Sequence, residues 1–395
     1  MSDPRDDHDD LDELARALDD AAGGSARPIA PEPAASIAAT LERWLRLVAE
    51  RAASDLLLLA GEPPTLRHEG RIVRTQGARL DGNEIEAAVL PALPPHARRA
   101  YRATGIADGA CRLAGAGRFR INLHRERGRA AAAIRMLPGR VPRLATLDLP
   151  AGTARLATLP RGLVLVGGAT GSGKTTTIAA LVEEINQHEA RHIVTIEDPI
   201  EYEHTSQRSV IQQVEIGIDA PDFPTALRSA LRQSPDVIVI GEMRDPETMR
   251  IALAAGETGH LVFSTLHTTD VASTIARISD SFPVERQPTI RQELASALAA
   301  VLVQTLLPRP AGGRAAAAEM LLVGYGARQH IRRNALHHLH QEIAITRKHG
   351  SFSLEECLAS LVRAGVVDQG EAALRAIHPE DFQQALYAGG GQPAS

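Results

Sequence analysis

The stretch Gly168-Ala169-Thr170-Gly171-Ser172-Gly173-Lys174-Thr175 has residue types and a spacing suited to one piece of chemistry, the holding of phosphate. It follows the pattern G-x-x-x-x-G-K-[ST]. Glycines there let backbone N–H groups turn inward around phosphate oxygens, a lysine reaches the terminal phosphates, and a hydroxyl ligates Mg²⁺. Thr175 is the candidate metal ligand, and Thr176 continues the cradle into the next turn. Of 43 lysines and arginines only Lys174 and Lys348 are lysines, so a compact ammonium is singled out at the phosphate position.

Hydrolysis of a nucleoside triphosphate needs more than a cradle: a metal, a group that orients or deprotonates water, and positive charge for the transition state. An acid closing an apolar strand is the usual partner of the metal. Here the strand Asp236-Val237-Ile238-Val239-Ile240 runs into Gly241-Glu242, which leaves Glu242 as the only acid in place and the candidate general base. A second strand, His192 to Ile196, ends in Glu197-Asp198-Pro199-Ile200-Glu201, whose carboxylates can hold Mg²⁺ through water or order the attacking water. A third, Leu261 to Thr265, ends in Leu266-His267-Thr268-Thr269 and brings an imidazole.

The elements that position these groups are readable. Leu163 to Gly167 is a buried strand before the glycine loop, and Thr176 to Asn186 is a helix whose positive end faces the phosphates. Continuously apolar strands alternating with helices predict a parallel sheet, and ligands of such sheets sit outside the carboxyl ends of the strands. Further helices are expected at Thr225 to Arg232, from Asp245-Pro246 through Ala255, at Gln287 to Leu306, Leu354 to Ala364 and Gln369 to Ile377.

Before this α/β core lies a smaller α+β unit. A helix begins near Ile37, with Leu41, Trp44, Leu45 and Val48 at helical spacing. Strands follow at Asp55 to Leu59 and Thr65 to Arg74, helices at Asn83 to Leu90 and Pro95 to Ala103, and strands at Gly109 to Leu113, Arg118 to Leu123 and Ala130 to Met136. The expected organisation is an acidic disordered tail over 1–35, an N-terminal domain over 36–137, a proline-punctuated linker over 138–160, an ATPase core with C-terminal helices over 161–382, and a disordered tail over 383–395.

Composition narrows the classes. At 395 residues the chain can hold two domains. Residues 1–22 carry nine acids against Arg5 and Arg16, a net of −7 that leaves about +2 for the rest of a chain whose total is −5. The alternative function, a nucleic-acid translocase that shares the phosphate loop, would need a basic channel or stacking aromatics, and a near-neutral folded part with 3% aromatic residues gives no such case. Cys111 and Cys357 are far apart, which excludes a disulfide framework and a four-cysteine zinc site and fits a reducing compartment. The acidic N-terminus has no secretory pattern, and the longest apolar run, Leu294 to Leu307, is interrupted by Gln304 and falls short of the roughly 20 residues that cross a bilayer. The expectation is a cytoplasmic protein without direct membrane insertion.

Taken together, these motifs resemble the PilT-like retraction ATPases of type IV pili, within the secretion ATPases. Ile196-Glu197-Asp198-Pro199-Ile200-Glu201 resembles the family's Asp box, and Gly241-Glu242-Met243-Arg244-Asp245 resembles its Walker B. Glu257-Thr258-Gly259-His260 with Thr265-Leu266-His267-Thr268 resembles its His box. The resemblance runs from about Ala53 to Phe382. It implies a PAS-like N-terminal domain, a RecA-like core, ATP and Mg²⁺ as cofactors, and a homohexamer that works on a pilus through a platform protein of the inner membrane. It also implies that Arg120 and Arg135, in Gly117-Arg118-Phe119-Arg120-Ile121-Asn122 and Ile134-Arg135, reach the nucleotide from the N-terminal domain, that Arg228 and Arg232 sense the γ-phosphate, and that His267 acts as a sensor. Arg118 reads as a solvated surface charge. Where retraction motors carry A-I-R-N-L-I-R-E, this chain has Gly326-Ala327-Arg328-Gln329-His330-Ile331-Arg332-Arg333, so principal motor, accessory paralogue and motor of a related machine all stay open. The lack of a four-cysteine insertion points away from the assembly-type and type II secretion ATPases.

Overall fold

The structure is a computed structural model that describes residues 38–68 and 70–388. The acidic tail expected over 1–35 and the glycine-rich end from Gly389 lie outside the described residues.

The first unit opens with α1 (Ala39–Glu50), which forms because Leu41, Trp44, Leu45 and Val48 fall on one face and are buried together. Strands β1 (Asp55–Leu58), β2 (Thr65–His68) and β3 (Arg71–Arg74) follow. Then come α2 (Gly82–Val89), α3 (Pro95–Thr104) and strands β4 (Ala107–Leu113), β5 (Gly117–Glu126) and β6 (Arg129–Met136). The six strands form an antiparallel sheet in the order β3-β2-β1-β6-β5-β4. Leu45, Ile85, Val89 and Tyr101 from the helices bury one face of it against Leu56, Ile121, Leu123 and Ile134. The single strand expected over Thr65 to Arg74 is instead a hairpin. Gly70, at φ 78°, supplies the left-handed turn that lets β3 fold back on β2.

The second unit holds β7 (Gly162–Gly167), α4 (Lys174–His188), β8 (His192–Glu197), β9 (Val210–Glu215), α5 (Phe223–Ala230), β10 (Val237–Ile240), α6 (Pro246–Glu257), β11 (Leu261–Leu266), α7 (Val271–Asp280), α8 (Gln287–Ala297), β12 (Leu298–Pro308) and β13 (Arg314–Leu322). Its seven strands lie in the order β13-β12-β7-β11-β10-β8-β9, parallel throughout except for β13. Alternate residues serve opposite faces. Leu163, Leu165, Ile238 and Ile240 meet one helical layer, while Val164, Val166, Val237 and Phe263 meet Ile178, Leu181 and Ile185 of α4. Within residues 138–160, Leu144, Leu156 and Ala157 are buried against this second face.

Two expectations are corrected here. The helix foreseen from Gln287 to Leu306 ends at Ala297, and the chain continues directly as β12, because Val301 and Val303 fill the slot beside Leu165 and Gly167 of β7. The alanine run Ala315 to Ala318 is the middle of β13. Those alanines are almost wholly buried, and small side chains let Leu354, Cys357 and Leu358 pack onto the end of the ribbon. The chain closes with α9 (Tyr325–Arg332), α10 (Leu339–Ile345), α11 (Leu354–Arg363), α12 (Gln369–Ala373) and α13 (Pro379–Ala388). The last of these runs past residue 383, where a disordered tail was expected, and is anchored by buried Phe382.

Candidate active site

The carboxyl ends of β7, β8, β10 and β11 lie at one edge, since the strands are parallel and in register. From β7 the chain turns through the glycine loop into α4. Gly168 at φ 146° sits where a side chain would strike Ser172 Oγ and the Gln304 carbonyl, so only glycine closes the loop there. Gln304 of β12, the polar residue that interrupts an apolar run, donates from Nε2 to the Ser172 carbonyl at 2.6 Å. Lys174 is buried, and its Nζ donates to the Gly168 and Ala169 carbonyls at 2.9 and 3.0 Å. Burial lowers its pKa, and the carboxylates of Glu242 and Glu201 work against that shift.

These residues fit a nucleotide phosphate. The concave loop would be filled by a Cβ at Gly168, Ser172 Oγ is a buried hydroxyl with no partner among the described residues, and the amino end of α4 points into the cradle. Among the described residues no cluster of three His, Cys, Asp or Glu side chains could hold a metal by itself. The Thr175 hydroxyl would hold Mg²⁺ beside a bound phosphate, where the ion would supply positive charge. Thr176, by contrast, is engaged with the Tyr202 hydroxyl at 2.9 Å.

Opposite the lysine stands Glu242. Arg244 donates to its Oε2 at 2.8 Å, His267 Nε2 lies 3.5 Å from its Oε1, and His267 Nδ1 lies 3.5 Å from Thr170 Oγ1. A chain of contacts thus runs from the phosphate loop through the imidazole to the carboxylate. Burial pushes the Glu242 pKa up, but the Arg244 hydrogen bond and the charges of Arg244, His267 and Lys174 bring it below the ordinary carboxylate value, so the group is ionised at neutral pH. Gly241, just before Glu242, sits close against the end of β8. A Cβ on Gly241 would stand 3.3 Å from the Ile196 carbonyl and 3.4 Å from the Glu197 Cα.

Glu197 is half-buried at the end of β8, where Thr195 Oγ1 donates to it at 2.8 Å, Gln213 Nε2 at 3.3 Å and the Glu201 N–H at 3.4 Å. Burial raises its pKa despite these donors. A carboxyl whose proton is held more tightly than that of Glu242 stands on the same edge, the arrangement in which two acids divide roles.

Among the described residues no hydrogen bond or ion pair ties Arg120, Arg135, Arg228 or Arg232 to the phosphate loop, Glu197, Glu201, Glu242 or His267. Arg120 and Arg135 face each other across β5 and β6, and Arg135 donates from Nε to Asp55 Oδ1 at 2.8 Å. Arg228 is ion-paired with Glu247 of α6, and Arg232 is exposed. Arg118, read as a solvated charge, is instead largely buried between the two units, where its Nη1 donates to the Ile200 carbonyl at 2.7 Å and its Nη2 to Glu215 at 3.3 Å. No local spacing signals that contact, because its partners lie far along the chain.

In the C-terminal signature, Arg328 caps the end of α8 by donating to the Ala295 and Ser296 carbonyls, and Ile331 is buried. Two departures from the signature share one neighbour. The buried Glu342 carboxylate lies where a Cβ on Gly326 would stand, and His330 Nε2 is 3.5 Å from the same group.

A doubly wound parallel sheet carrying a phosphate loop, an ionised carboxylate and an imidazole at one edge defines a P-loop ATPase. The profile of the family described as type II/IV secretion system protein matches residues 145–376. The type IV pilus retraction ATPase PilT of Pseudomonas aeruginosa is 39% identical over 338 residues, covering 86% of this chain and 98% of the relative. The type IV pilus ATPase PilU of the same organism is 35% identical over 349 residues, covering 88% and 91%. A crystal structure of the pilus retraction motor PilT with bound ADP matches with a TM-score of 0.77 at 39% identity, over 86% of this chain and 98% of that one. The chain belongs to the type II/IV secretion system family as a PilT-like ATPase.

Proposed function

We propose that this chain is the subunit of a homohexameric motor that couples ATP hydrolysis to retraction of a type IV pilus or to work on a related pilus or secretion machine. It acts in the cytoplasm and meets the inner membrane through a platform protein. Among the described residues no helix is long and apolar enough to cross a membrane. We read the N-terminal unit as PAS-like and the core as RecA-like.

The observation that carries the reading is the linked set Thr170, His267, Glu242 and Arg244 beside Lys174 at the carboxyl edge. The glycine loop and Lys174 hold the phosphates, and Thr175 holds Mg²⁺, which when bound supplies charge to the phosphoryl oxygens. Glu242, ionised and with a lowered pKa, accepts a hydrogen bond from the attacking water and orients it more than it stores its proton. Glu197 and Glu201 order the water and the metal's outer shell, and His267 couples Glu242 to the loop through Thr170. Arg120 and Arg135 reach the phosphates when the N-terminal unit closes, with Arg135 leaving Asp55, while Arg228 and Arg232 respond to the γ-phosphate.

Steady-state turnover of the full chain with Mg-ATP tests this. K174A is expected to lose nucleotide binding. E242Q is expected to bind ATP normally with turnover lowered about 100-fold or more. E242Q turning over like the parent would overturn the assignment.

A further inference from the structure

The two units of the chain touch at the loop that carries Glu201. Arg118 of β5 leaves only 14% of its side chain exposed and reaches three acceptors there. These are the Ile200 carbonyl at 2.7 Å, Glu215 Oε2 at 3.3 Å and Glu203 Oε1 at 3.4 Å. Arg112, its register partner on β4, adds a second ion pair to Glu203, and the His96 ring of α3 packs on Gly217. A planar guanidinium with a fork of donors suits such a set of acceptors, whereas an ammonium would meet them only as a point charge.

One peptide unit joins this contact to the phosphate edge. The carbonyl of the Ile200–Glu201 peptide accepts from Arg118, and its N–H donates to Glu197 Oε2 at 3.4 Å. The peptide is planar and stiff, so its two ends cannot move independently. The preceding N–H, that of Ile200, is held by Glu215 Oε2 at 3.2 Å, the same oxygen that Arg118 grips. Glu197 and Glu215 are register neighbours at the ends of β8 and β9, so the loop hangs from two carboxylates at the sheet edge and is gripped by one arginine from the other unit.

We propose that Arg118 is a positioning residue for hydrolysis: it clamps the Ile200–Glu201 peptide from the N-terminal unit, so that the placement of Glu197 and Glu201 at the phosphate edge follows the position of that unit. The proposal rests on the reading above that these two acids order the water. It makes Arg118 the route by which unit rotation and hydrolysis are coupled within one chain. Arg120, two residues along the same strand, and Arg135, on neighbouring β6, have no hydrogen bond or ion pair to the loop among the described residues.

The test uses the full chain and the variants R118M, R118K and E242Q, with oligomeric mass, fluorescent-ATP affinity, KM for ATP and kcat measured for each. R118M is expected to keep the parent's mass and affinity, with KM within about twofold and kcat lowered about tenfold or more, the scale of loss when a catalytic group is slightly misplaced. R118K, which keeps charge beside Glu215 without the fork, is expected to fall between the two and to serve where R118M does not fold. A folded R118M or R118K with parental kcat, or a loss confined to KM and thermal stability, overturns the proposal. If E242Q is inactive in that case, only the positioning role is lost, whereas an active E242Q removes the underlying reading of the site.

Discussion

At the scale of residues, the phosphate loop shows how much one position depends on distant ones. Its glycines explain how the backbone turns, but the loop is held down by Gln304, whose amide meets the Ser172 carbonyl from β12. Replacing Gln304 with leucine leaves that carbonyl buried without a donor, at a cost of about 1–3 kcal/mol, and frees the loop to shift. Q304L is therefore expected to lower the unfolding free energy and to weaken ATP affinity severalfold, read by denaturant titration and by nucleotide titration. Parental values of both would show that the bond does not shape the cradle. The loop, Glu242 and His267 were legible in the sequence because their chemistry is written in contiguous residues. Arg118 was not, since its role comes from a fold that carries β5 onto a loop more than 80 residues away.

At the scale of elements, the ribbon of β12 and β13 is the part least visible in the sequence. Gln287 to Leu306 has helical spacing and no glycine to stop it, and alanines have weak strand preference; only pairing with β7 and burial on both faces decide for strand. The same ribbon carries Glu319, which is buried and accepts the Val271 N–H at the start of α7 at 2.7 Å. Burial raises its pKa from 4.5 to about 7, aided by Asp270 and Glu355. The native state thus holds this proton more tightly than the unfolded chain does. The resulting stabilisation is fully present below pH 4.5 and is lost as pH rises through about 7. E319Q stays neutral, so its unfolding free energy relative to the parent is expected to climb across that window by up to about 3 kcal/mol. Denaturation curves of both proteins at several pH values check this, and parallel pH dependence would refute it. The departures in α9 have an element-scale cause as well, because Gly326 and His330 both accommodate Glu342 of α10.

At the scale of the whole molecule, the site is divided. The cradle, Glu242 and His267 belong to the core, whereas Arg120, Arg135 and Arg118 belong to the first unit, and no hydrogen bond or ion pair among the described residues ties the first two to the phosphate edge. On the proposed reading, bringing the charge of Arg120 and Arg135 to the core requires one unit to move against the other, the motion by which such a motor would turn hydrolysis into displacement. Strands alternating with helices in the core, and short strands around two helices in the first unit, were readable in the sequence. The mutual arrangement of the two units was not, because it rests on ion pairs between surfaces that each look merely charged.

The most direct test of a retraction motor is made in the source organism. The gene is deleted and complemented with the parent or with E242Q, and surface pili and twitching motility are counted. The account predicts that the deletion and the E242Q strain are both hyperpiliated and non-motile, while the parent restores both traits. Normal piliation and motility with E242Q would contradict it.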